Sequence, residues 1–78
     1  MNSLQKLIDF LDKLEESKIY YRLNKVRDSI LVEISVPGER WEVEFFADGH
    51  TETEIFRSNG EIHDDSVIKK LFNEFSDN

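Results

Sequence analysis

Between residues 30 and 58 the chain runs through three successive stretches of alternating apolar and polar side chains, each closed by a short turn signal. ILVEISV, residues 30–36, ends at Pro37-Gly38, and ERWEVEFF, residues 39–46, ends at Ala47-Asp48-Gly49. HTETEIFRS, residues 50–58, ends at Asn59-Gly60. A period of two marks a half-buried strand. Loops of two or three residues join only antiparallel neighbours. A fourth run, IYYRLNKV at residues 19–26, comes first and is linked through Arg27-Asp28. The four runs predict an antiparallel meander.

Two amphipathic segments flank it. Leu4, Leu7, Ile8, Leu11 and Leu14 recur at helical spacing, with Phe10 beside the stripe, and predict a helix over residues 3–17 capped by Ser3. Val67, Ile68, Leu71, Phe72 and Phe75 form a second stripe, for which Asp64 or Asp65 supplies the cap. The expected fold class is α+β, in the order αββββα. Both helices should cover one face of a four-stranded sheet as a single domain over residues 1–78.

Loop lengths predict the register. A two-residue loop at Pro37-Gly38 sets Ile34 opposite Trp41, Val32 opposite Val43 and Ile30 opposite Phe45. A three-residue loop at Ala47-Asp48-Gly49, with Gly49 left-handed, sets Trp41 opposite Ile55, Val43 opposite Thr53 and Phe45 opposite Thr51. Closure at Arg27-Asp28 sets Leu23 opposite Val32. These choices gather the bulky apolar residues on one face, and a one-residue slip would scatter them.

The other face is then acidic. Glu42 opposes Glu54, Glu44 opposes Glu52, and Glu33 flanks Glu42 on the far side. Like charges directly opposite cost roughly a few tenths to 1 kcal/mol per pair. Arg22, opposite Glu33, relieves one edge. Solubility alone would explain acids on a wet face, but interspersed lysine would serve it with less repulsion. Leu31, Phe46, Phe56 and Tyr20 share the face and could supply the apolar anchors an interface needs. The candidate partner-binding residues are therefore Glu33, Glu42, Glu44, Phe46, Glu52, Glu54 and Phe56.

Charge narrows the partner. The chain carries a net charge of −7. Residues 1–38 hold six basic and six acidic side chains, whereas residues 39–78 hold four and eleven. That balance argues against nucleic acid, which needs a basic stripe, and favours a basic protein partner. The chain has no cysteine, which removes thiol chemistry and thiolate zinc sites and makes a reducing cytoplasm the expected home. The opening MNSLQKLIDFLDKLEE lacks the apolar core of a signal peptide, and no membrane association is expected.

Catalysis finds little support. Paired carboxylates can do acid–base work, but in a cleft and not on an open sheet. A flat row of them lacks the convergence that Ca²⁺ or Mg²⁺ requires. His50 and His63 lie in or beside turns, and Ser29, Ser58 and Ser66 have no His–acid arrangement near them in sequence. Asn59-Gly60 reads as a turn and not a phosphate loop, and Trp41 reads as core. No enzyme activity, cofactor or metal is expected.

The stretch PGERWEVEFFADG, followed by an acidic strand ending FRSNG, resembles a pattern seen in small uncharacterised bacterial proteins. In size, acidity and α+β layout the whole chain resembles, in build, the immunity proteins that neutralise bacterial toxins. The resemblance implies a small cytoplasmic protein whose surface blocks a basic toxin domain, often a nuclease. It transfers no individual functional residue. The leading expectation is thus a binding module or inhibitor. The alternative is a structural homo-oligomer or adaptor without catalytic activity, with a homodimer formed through Phe46 and Phe56 or through an edge strand.

Overall fold

The computed structural model describes residues 3–57, 62–63 and 67–75. Helix α1 (Ser3–Glu16) leads into strands β1 (Tyr21–Val26), β2 (Ser29–Val36), β3 (Glu39–Phe46) and β4 (Thr51–Phe56). A two-residue strand β5 (Ile62–His63) and helix α2 (Val67–Phe75) follow. The strands lie in sequence order in one sheet, and every pairing is antiparallel. The αββββα plan is present, extended by β5. His63 ends that strand, where it pairs with Thr53. The Asp64 or Asp65 cap, the Asn59-Gly60 turn, Ser58 and Ser66 fall outside the described residues.

The register is the one the loop lengths predict. Ile34 pairs with Trp41 and Val32 with Val43, while Trp41 pairs with Ile55 and Val43 with Thr53. Pro37 supplies the fixed φ and Gly38 the φ of +79° that a tight type II turn needs. Gly49 sits at φ +94° and closes the three-residue loop, its N–H donating to the Phe46 carbonyl at 2.9 Å. The Phe46 N–H donates in turn to the His50 carbonyl at 3.0 Å.

One face of the sheet is the core. Val32, Ile34, Trp41, Val43 and Ile55 are buried there beneath Leu7 and Leu14 of α1 and Leu71 and Phe72 of α2. Each such side chain contributes about 1.5–3 kcal/mol by leaving water. The helices meet at Phe10, whose ring lies 5.3 Å from Phe45 and 6.1 Å from Phe72 between centroids. The Lys13 ammonium covers Phe72 at 4.6 Å. Trp41 is fully buried, and its indole N–H donates to Glu39 at 2.8 Å, so its one polar atom is satisfied. Arg57 holds the same Glu39 carboxylate at 2.9 Å.

The ends of α1 explain its placement. Ser3 is the first residue of the helix, and its hydroxyl donates to the Ala47 carbonyl at 3.4 Å. Lys6 donates to the Gly49 carbonyl at 3.0 Å, so the helix start is tied to the β3–β4 turn. At the other end the Ile19 N–H donates to Leu14 and the Lys18 N–H to Glu15, with Lys18 at φ 59°. That is a Schellman stop with lysine where glycine is usual. Ile19 and Leu14 are both buried beside it. Leu4 and Ile8 depart from the expected core stripe: they are 62% and 40% exposed.

Candidate functional site

Alternation along β2, β3 and β4 places the candidate residues on the face away from the helices. The pairs Glu33–Glu42, Glu42–Glu54 and Glu44–Glu52 are directly opposed. Glu33, Glu42, Glu44 and Glu54 are half-buried and Glu52 is exposed. Such partial burial on an open sheet comes from crowding by neighbouring strands. Glu42, Glu44, Glu52 and Glu54 line, with Leu31 and Thr53, a small dent of about 50 Å³.

Glu42 is the electrostatic centre. Burial pushes its carboxyl above the ordinary range, and the charges of Glu33, Glu54 and Glu44 push the same way. Arg40 opposes them, its guanidinium 3.5 Å from the Glu42 carboxylate. At the rim Arg22 reaches Glu33 at 3.6 Å. Glu44 is met by the Ser29 hydroxyl, 2.5 Å away and buried at the end of β2. That hydroxyl also lies 2.9 Å from the Val26 carbonyl, but the charged acceptor makes the stronger bond.

The two phenylalanines flank the glutamates and do not sit among them. Phe46 pairs with Ser29 at one end of β3, and Phe56 pairs with Arg40 at the other. Each ring already carries a polar cover. The Arg40 guanidinium lies over Phe56 at 4.5 Å. The His50 imidazole stacks on Phe46 with centroids 4.2 Å apart and planes 6° from parallel. His50 Nδ1 contacts Asp48 at 2.5 Å and Nε2 approaches Glu52 at 3.4 Å. The Asp48 hydrogen bond raises the imidazole pKa, with Glu52 adding to it. Asp48 is held low in turn, first by the His50 backbone N–H.

The structure thus brings all five glutamates into one patch and adds Arg40, His50 and Ser29 to it. Arg40 and His50 could be found in the sequence from their register beside Phe56 and Phe46. Ser29 carried no signal, because its role depends on the buried strand end. Among the described residues no group of three His, Asp, Glu or Cys side chains is placed to hold a metal ion. No described helix is long and apolar enough to cross a membrane. Neither a family model, a curated protein nor a solved structure matches the chain.

Proposed function

We propose that this protein is a small acidic binding module whose open sheet face engages a basic protein surface. It acts as a stoichiometric inhibitor of the immunity-protein kind, against a toxin domain such as a nuclease. The carrying observation is Glu42, opposed by Glu33 on one side and Glu54 on the other, with one cation, Arg40, alongside. A partner's lysines and arginines would relieve that repulsion. The face therefore gains on binding what it loses in the free protein.

Geometry supports the same reading. The backbone positions that carry the carboxylates stand about 5 Å apart across strands and about 7 Å apart at two residues along one strand. Such a rigid lattice of negative charge can stand in for the phosphates that a nuclease grips. It would also steer a basic domain into encounter at a raised rate. Phe46 and Phe56, each half-covered, supply apolar contact at the two ends of the patch.

The test is affinity capture from the native cell with the parent protein and with a Glu42→Lys/Glu54→Lys variant. Captured proteins are identified by mass spectrometry and the purified pair is then titrated. The parent should retain a protein with a basic surface, and the variant should bind it at least about tenfold more weakly. Circular dichroism should show the same fold in both. Equal binding by the variant removes this face from the interface. A captured partner without a basic surface removes the reading.

A further inference from the structure

The edge of the sheet at β1 has the opposite character from the acidic face. The Ser35 N–H donates to the Tyr20 carbonyl at 3.4 Å, which makes residues 20 and 35 a hydrogen-bonded pair. Antiparallel ladders alternate such pairs with open ones. Arg22, Asn24 and Val26 therefore turn their backbone groups toward β2. Tyr21, Leu23 and Lys25 turn theirs outward, along the free edge of the sheet.

Apolar exposure gathers at the same edge. Among the described residues the exposed large apolar side chains are Leu4, Ile8, Tyr20, Leu23 and Val26, all on α1 or on β1 and its lead-in. Helix α1 runs antiparallel to β1. Near its end Glu15 accepts from the Tyr21 hydroxyl at 2.5 Å. At its start Leu4 and Leu7 share with Lys25 and Ile30 a groove of about 340 Å³. That groove, lined by Leu4 of α1 and Lys25 of β1, is a trough beside the free edge.

Charge identifies the occupant. Residues 17–27 contain Lys18, Arg22, Lys25 and Arg27 and no acid, in a chain whose net charge is −7. All four are exposed. Pairing with a second copy through β1 would gather eight cations in one seam, and edge cations are a common device against self-pairing. The same cations favour an acidic strand. We propose that the β1 edge and its trough dock an extended acidic segment of a partner protein, added antiparallel as a further strand. Register gives the pattern: acids opposite Arg22 and Lys25, apolar residues opposite Leu23 and Val26. Read from its N-terminus, such a segment is Val-Glu-Thr-Ile-Glu-Thr-Val.

This surface meets the acidic face at Arg22, which pairs with Glu33 at 3.6 Å, but it uses none of Glu42, Glu44, Glu52 and Glu54, so the two readings fail separately. The probe is that heptapeptide, flanked by Gly-Ser and labelled with a fluorophore, titrated against the whole protein by anisotropy at low salt. Amide shifts are followed in parallel by nuclear magnetic resonance. We expect saturable binding, with the largest shifts at the Tyr21, Leu23 and Lys25 amides. Arg22→Glu/Lys25→Glu should weaken it about tenfold without changing the circular dichroism. The peptide with lysine in place of glutamate should not bind. Absence of binding overturns the proposal, as does binding insensitive to the charge reversal or shifts centred on Glu42 and Glu54. Sedimentation showing a dimer that Leu23→Glu dissociates overturns it too, by making a second copy the occupant.

Discussion

Glu42 carries a carboxylate at a place where the rest of the sheet disfavours one. Its neighbours across both strands are acids, and its own pairing with Arg40 is half in water. The sign of its effect on stability follows from its raised pKa. A carboxyl that binds its proton more tightly in the folded than in the unfolded chain destabilises the fold once it ionises. The penalty is absent below the unfolded value of about 4.3 and complete above the folded value. Glu42→Gln should therefore raise stability at pH 7 by about 0.5 kcal/mol, measured by urea unfolding. The gain should close as the pH falls through that window. A variant less stable than the parent at pH 7 would mean that the Arg40 pair outweighs the repulsion.

At the scale of elements, the β3–β4 hairpin joins the acidic face to a titratable group. His50 donates to Asp48 and approaches Glu52 while stacked on Phe46. Because its folded pKa is raised, the hairpin end gains stability below the ordinary imidazole value of about 6.5 and loses it as the pH rises through the folded value. The imidazole proton signal should titrate above about 6.5 in the parent. It should return toward that value in Asp48→Asn, which removes the leading cause. An unchanged midpoint in Asp48→Asn would show that Asp48 does not set it.

The same element shows how much was legible in the sequence. Two loop lengths and one glycine, Gly49, determined which residues oppose which, and so located every glutamate pair. The end of α1 was less legible, because Lys18 occupies the left-handed stop that glycine would have announced. Leu4 and Ile8 followed the helical period as faithfully as Leu7 and Leu14. Only the position of α1 on the sheet decides that they stay exposed and do not enter the core. Register brings Arg40 beside Phe56 and His50 near Phe46, but the lie of each cover over its ring is side-chain packing that alternation does not encode.

Across the whole molecule the charges are sorted by surface. The excess acid lies in the second half of the chain, with Glu42, Glu44, Glu52 and Glu54 of it on the open face, and the densest basic run lies on the β1 edge. Screening should therefore stabilise the free protein, because its closest unrelieved interactions are repulsive. Three opposed glutamate pairs, at a few tenths of a kcal/mol each, amount to about 1 kcal/mol. For a domain of this size that corresponds to about 4–8 °C in Tm. Raising sodium chloride from about 20 to about 500 mM shortens the Debye length from over 20 Å to under 5 Å and should recover much of that increment. General salting effects on apolar surface would raise Tm as well, so the informative quantity is a difference. Glu42→Gln/Glu52→Gln breaks all three opposed pairs with two neutral substitutions. Its Tm should start higher at low salt and rise by half as much or less. If parent and variant respond to salt in parallel, the face carries no stored repulsion, and the electrostatic argument for a basic partner loses its premise.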